Sequence, residues 1–373
     1  MSARPRKQVH PAVSALAILL ALGGVQWVWW RFLVWSPPPP NGAGRPSGGQ
    51  TGQNDVRMLG RADVVVRTIG GDQQPGDADG PAHAARYDRP TGVALDDRGN
   101  VYVADSGNHR IRVISPAGDT TTVAGGEPGY ADGPSLQARF NAPCGVCVGP
   151  DDTIYVADTG NHCIRRIKDG QVTTLAGEPA NGGAAPLRSL NLITGIAFVR
   201  GAKPLLVAAD AGGSRLLRFS TDGTPLGDRA VSGPPVSVFG NLEAAALPSS
   251  GTLILGTKTL RDVPFEATDD VAAAEARRLI LRHPVGLARL GKGWLVTDND
   301  HGAVLLVVND KAHVLAGACS SGYPIHGYRD GDGRNCQFGI LSGIVSDGKR
   351  YAYVADTGGN SIRRLDISEV DTN

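Results

Sequence analysis

From residue 64 onward the apolar positions fall in short runs bounded by Gly, Asp, Asn or Pro, not at helical spacing. Runs such as GVAL (92–95), VYVA (101–104), IRVI (111–114) and TTTVAGG (120–126) are rich in Val, Ile, Thr and Tyr, and turn residues such as Asp97-Arg98-Gly99-Asn100 separate them. This is the signature of short strands joined by tight turns. The order then repeats. PTGVALDDRGNVYVADSGNHRIRVI starts at Pro90, and PCGVCVGPDDTIYVADTGNHCIRRI starts at Pro143. Weaker copies follow: ITGIAF with LLVAADAGGSRLLRF, PVGLARLGKGWLVTDNDHGAVLLV, and LSGIVSDGKRYAYVADTGGNSIRRL. Asp105, Asp158, Asp210, Asp298 and Asp356 close the second run of each copy. The wide gap between Asp210 and Asp298 leaves room for a degenerate unit, FGNLEAAALPSSGTLILGT, with Phe239 set against Phe140 and Phe338 and Glu243 set at the start of its inner strand. The count is six units of four strands each, and a four-stranded sheet repeated at this period predicts an all-β, six-bladed propeller. A fourth-strand pattern, VVVRTIGG at Val64–Gly71, precedes the first full unit, and none follows Ser368. The amino-terminal strand is therefore expected to complete the last blade and close the ring.

One apolar segment departs from this pattern. Ala12 to Trp35 is interrupted only by Ser14, Gln26 and Arg31, which is long enough for a helix to cross a bilayer. Arg4, Arg6 and Lys7 precede it and Trp27, Trp29, Trp30 and Trp35 sit at its far end, so the expected topology is a cytoplasmic amino terminus and an extracytoplasmic propeller. The alternative is a cleaved signal peptide and secretion, with Ala21 and Gly23 as small residues near the cut. The domain reading is a tail (1–11), a transmembrane signal-anchor helix (12–35), a Pro/Gly-rich linker (36–63), the propeller (64–368) and a short tail (369–373).

Composition narrows the function classes. Lys plus Arg number 37 and Asp plus Glu 36, so binding to nucleic acid through bulk charge is not expected. Aromatic residues are 5%, too few for a surface that stacks bases.

The strings VYVADSGNHRIRVI, IYVADTGNHCIRRI and YVADTGGNSIRRL, each following a PxG or LxG strand start, resemble NHL repeats, as do the upstream DGPAHAARYDRPTGV and DGPSLQARFNAPCGV. The resemblance covers about residues 64 to 368 and implies a monomeric six-bladed ring. It also implies an interaction or sensor module for a protein or glycan, although some related rings are hydrolases or lyases.

Candidate residues follow from the repeat geometry. Strand-one starts, strand-two ends and strand-three starts share one face. The five aspartates are read as caps of the turns that follow them. Binding on this face is assigned to Arg89, His109, Arg110 and His162, together with Tyr323, His326, Tyr328 and Arg329 in the long loop 318–338, because Tyr and Arg concentrate interface energy. Inner-strand starts align as Thr91, Cys144, Thr194, Glu243, Val285 and Ser342, which offers neither a calcium cage nor a three-histidine zinc site. No metal, cofactor or catalytic residue is assigned. His283 with Glu243 is kept as the acid–base pair of an alternative channel enzyme. Cys144, Cys147 and Cys163 are read as packed thiols. The DGDG at 330–333 is read as a repeat turn, and Cys319 and Cys336 as a disulfide permitted outside the cytoplasm.

Overall fold

The computed structural model describes residues 63–177, 190–239, 244–247, 252–255, 258–261, 281, 283–317, 327–368 and 370. Six antiparallel sheets are present among them, and in blades three, four and five the strands run in sequence order across the sheet. Blade one comprises Pro90–Leu95, Val101–Asp105, Arg110–Ile114 and Asp119–Gly125, and blade two Gly145–Val148, Ile154–Asp158, Cys163–Lys168 and Gln171–Gly177. Blade three is Ile193–Val199, Leu205–Asp210, Arg215–Ser220 and Pro225–Ala230. Blade four is Ser237–Phe239, Ala244–Leu247, Thr252–Leu255 and Lys258–Leu260. Blade five is Pro284–Leu290, Gly293–Asp298, Ala303–Val308 and Lys311–Ala316. Blade six takes Leu341–Ser346, Tyr351–Asp356 and Ser361–Asp366 from the carboxyl end, and its fourth strand is Val65–Gly70. Val66 pairs with Leu365 and Thr68 with Arg363, so the expected closure is observed.

Two expectations are corrected. Blades one, two and six carry a fifth, two-residue strand outside the fourth: Gly80–Pro81, Gly133–Pro134 and Gly331–Asp332. The chain leading into each of these blades folds back over its outer edge, which hides unpaired backbone groups. In blade four, Phe239 lies in the first strand and does not precede it as Phe140 and Phe338 do. The position matching Cys144 is Val236: its N–H donates to Ala246 as that of Cys144 does to Ala157, and its carbonyl faces Gly195 as that of Cys144 faces Gly92. Glu243 lies outside the described residues.

Apolar faces meet between neighbouring blades. Ala94, Tyr102 and Ile111 of blade one pack with Phe140, Val146, Val156 and Ile167 of the next. Burying each such large side chain contributes about 1.5–3 kcal/mol. The glycine of the strand-start motif is what lets inner strands approach. A Cβ on Gly92 would meet the Cys144 carbonyl oxygen, and one on Gly343 the Thr91 carbonyl at 2.7 Å. Gly195 and Gly286 stand equally close to the following blade. Buried hydroxyls reinforce the same joints, with Thr357 donating to Pro90 at 2.6 Å and Thr297 to Ser342 at 2.8 Å. No helix among the described residues is long and apolar enough to cross a membrane, and the segment 12–35 lies outside them.

Candidate functional site

Pro90 pairs with Asp105, Asp105 with Arg110, and Arg110 with Gly125, so the strand starts and DxGNH turns lie level on one face. Each of the five aspartates is fully buried. In four of them one carboxylate oxygen accepts the backbone N–H of the residue two before the strand-start motif at Pro90, Pro143, Ile193 or Leu341: Asp88 to Asp105 at 2.9 Å, Asn141 to Asp158 at 2.8 Å, Asn191 to Asp210 at 3.2 Å, and Gly339 to Asp356 at 2.9 Å. In blade five the donor to Asp298 is His283, directly before Pro284, at 3.2 Å. The expected capping of the following turn is present as well, with Gly213 donating to Asp210, Asp300 to Asp298 and Gly359 to Asp356 at 3.0 Å each, so these carboxylates hold the turn and also tie the blade's entry to its second strand.

The other oxygen takes a charge. In blades one, two and six it meets a fully buried arginine seven residues on: Asp105–Arg112 at 3.0 Å, Asp158–Arg165 at 2.8 Å and Asp356–Arg363 at 3.0 Å. Each guanidinium also bonds a second aspartate in the loop entering the blade, Asp79, Asp132 or Asp330. It lies over an aromatic ring as well, Tyr87 at 4.8 Å, Phe140 at 5.1 Å and Phe338 at 5.1 Å. Burial pushes the Asp105, Asp158 and Asp356 carboxyls up to about 6, against the hydrogen bonds and guanidinium that hold them down. The pairs are still ionised at neutral pH. Blade three has Leu217 at the arginine position, and Arg215, two residues earlier, reaches Asp210 instead at 2.8 Å. In blade five His301 stands 3.0 Å from Asp298. The three buried arginines escaped the sequence reading. The available signal was an arginine at one fixed distance from the strand-ending aspartate, inside an apolar strand.

The predicted binding residues separate into groups. His109 and His162 have left-handed backbones, at φ 54° each, and their Nδ1 atoms accept the N–H of Ala142 (3.0 Å) and Leu192 (3.4 Å) in the following blade. Asn360 does the same for Arg89 through its side-chain oxygen, at 2.8 Å. These side chains join blades. Burial, then the nearby Arg89 cation, lowers the His109 pKa against Asp88 and Glu127, consistent with a neutral ring that accepts at Nδ1. Arg110 pairs with Asp77 at 2.9 Å. Tyr328 is committed to closure: its hydroxyl meets the Thr68 hydroxyl at 3.0 Å and its ring lies under Arg363. Arg89 and Arg329 remain exposed on this face. Tyr323, His326 and Cys319 lie outside the described residues. The sulfur of Cys336 is buried and accepts the Gly317 N–H at 3.2 Å.

Asp330 and Asp332 are occupied by protein donors, as a repeat turn requires. Cys144, Cys147 and Cys163 are buried thiols, and burial pushes the Cys144 thiol up to about 12. Among the described residues no group of three His, Cys, Asp or Glu side chains is placed to hold a metal ion. At blade five, His283 Nε2 and Asn299 Nδ2 are buried without a hydrogen-bond partner.

Fold and seams together define a six-bladed β-propeller assembled from sequence repeats. Two of its units are NHL repeats: the family model described as "NHL repeat" matches residues 87–114 and 140–167. The chain is 40% identical over 122 residues to "NHL repeat-containing protein 2" of Bos taurus, covering 30% of this chain and 17% of that protein. It thus spans about a sixth of the length of that relative. Two solved structures from Bacteroides thetaiotaomicron share the fold. A protein of unknown function superposes with a TM-score of 0.59 at 16% identity, covering 81% of this chain and 76% of that one. An auxiliary nutrient binding protein superposes with a TM-score of 0.58 at 13% identity over the same shares.

Proposed function

We propose that this propeller is a non-catalytic interaction module that presents its strand-start face to a protein or glycan, tethered to a membrane by residues 12–35 with the ring outside the cytoplasm. One observation carries the reading: the polar groups that recur on this face are held in bonds within and between blades, while the side chain of Arg89, which differs between units, is exposed and pairs, among the described residues, only with the adjacent Asp88. The buried aspartates, His109, His162 and the inner hydroxyls all bond to protein groups. Arg89 is exposed (51% of its side chain), where the equivalent positions of the next two blades are Ala142 and Leu192. Such loop residues on a rigid ring vary without disturbing it.

A second reading, a channel hydrolase or lyase, is favoured by the unpartnered His283 and Asn299 nitrogens, since buried polar atoms without partners invite a ligand. Its acid–base partner Glu243 lies outside the described residues. Proximity labelling from the carboxyl terminus, followed by capture with Arg89→Ala and Arg329→Ala, tests the first reading. Capture weakened by these changes with folding intact supports it. Turnover of a small molecule by the purified chain, abolished by His283→Ala, replaces it with the second. Protease protection of the propeller in sealed vesicles tests the topology.

A further inference from the structure

We infer that the rim between blades three and four binds a phosphate or sulfate monoester carried on a sugar-sized body. A groove of about 480 Å³ opens there, lined by Arg229, Ala230, Val231, Ser232, Thr259 and Arg261. That volume lies within the range of small-ligand clefts. Ala230 pairs with Arg215 and Leu253 with Leu260, which puts the groove at the ends of two fourth strands, on the same side of the ring as the strand starts.

Its chemistry differs from the rest of the surface. Nearly every other arginine on this side is matched by an aspartate, as with Arg89–Asp88, Arg110–Asp77 and Arg215–Asp210. Arg229 and Arg261 line one cavity, and neither has a carboxylate partner among the described residues. Of the two carboxylates adjacent to them in sequence, Asp262 lies outside the described residues and Asp228 points away for a geometric reason. It pairs in the sheet with Leu217 while Arg229 pairs with Leu216, so the two side chains leave opposite faces of the strand, and Asp228 lies 3.8 Å from Arg215. Two guanidinium forks and the hydroxyls of Ser232 and Thr259 supply donors and positive charge, with no acid among the described lining residues. A tetrahedral oxyanion matches that set, because planar forks bind such groups through paired hydrogen bonds. The open groove leaves room for the body that carries the ester.

The inference stands apart from partner capture through Arg89 and Arg329, whose substitution leaves this binding unchanged. Titration of the full chain at low salt with glucose 6-phosphate, glucose 6-sulfate and glucose, read by calorimetry, tests it. The expected result is saturable binding of the esters and none of glucose. Arg229→Ala and Arg261→Ala should each weaken binding roughly tenfold, the size of a lost charge-assisted hydrogen bond. Arg229→Lys, which keeps the charge but loses the fork, should also weaken it. The relative affinities of the two esters identify which oxyanion is preferred. Esters binding no tighter than glucose, or a double alanine variant with an unchanged thermal transition that binds like the parent, would overturn it.

Discussion

The backbone N–H of Thr68 donates to Asp330, 262 residues later in the chain, at 2.9 Å. Thr122 makes the same bond to Asp79, and Thr174 to Asp132, at 2.9 Å each. The strand from the far amino-terminal end of the ring thus occupies a position that blades one and two fill from their own sequence. The ring is fastened by the same aspartate, arginine and threonine set that holds ordinary blades together.

Removal of Val65–Gly70 should therefore unfold the propeller, since blade six would lose the core residue Val66 and leave the edge of Ser361–Asp366 unpaired. Calorimetry of the deletion variant checks this: an unchanged transition would mean that the strand only decorates the ring. Asp330→Ala should be milder, because that carboxylate is 46% exposed and water replaces part of its bonding.

Arg165→Leu should destabilise by about 3–5 kcal/mol, because it strands Asp158 as a buried charge. Blade three suggests the remedy. There Leu217 replaces the arginine, and Arg215, at the position of Cys163, serves the aspartate. Adding Cys163→Arg to Arg165→Leu should recover part of the loss. Chemical denaturation of both variants reads this directly, and a double variant less stable than the single one would contradict the equivalence.

The His109 contribution to stability should fall as the medium is acidified through the histidine range, because this ring is held neutral in the folded state. The buried Asp105, Asp158 and Asp356, pushed up to about 6, act in the opposite sense. The folded pKa of His109 lies below the unfolded value of about 6.5. The unfolded chain therefore takes up the proton first. The contribution is complete above the unfolded value and is lost as pH falls through the folded one. His109→Asn should flatten this dependence while keeping the joint, since Asn360 already makes the equivalent bond to Arg89. Thermal midpoints measured across pH 5 to 8 compare the two chains, and equal slopes would remove His109 as the source.

Gly92→Ala should cost about 1–3 kcal/mol, as overpacking does, because its new methyl group would collide with the Cys144 backbone. Gly343→Ala should behave alike at the joint of blades six and one. A tolerated substitution, read from the denaturation midpoint, would show that the inner strands can spread.

The blade count, the strand order and the closing role of Val65–Gly70 were legible in the sequence, because alternating apolar runs and turn residues are local and the repeat multiplies them. The resemblance of DxGNH and IRRI to NHL repeats was legible for the same reason. Side-chain partners were not, since they depend on distant segments. Only the folded ring decided that Asp105 answers Asp88 and Arg112, that Tyr328 clasps Thr68, and that His109 serves the next blade. Blade four misled the alignment because its short strands lack the strand-ending aspartate, so Phe239 was set before the first strand when it lies within it. Repetition fixed what each unit had to be, and tertiary packing brought together residues that lie one blade, or a whole ring, apart in the chain.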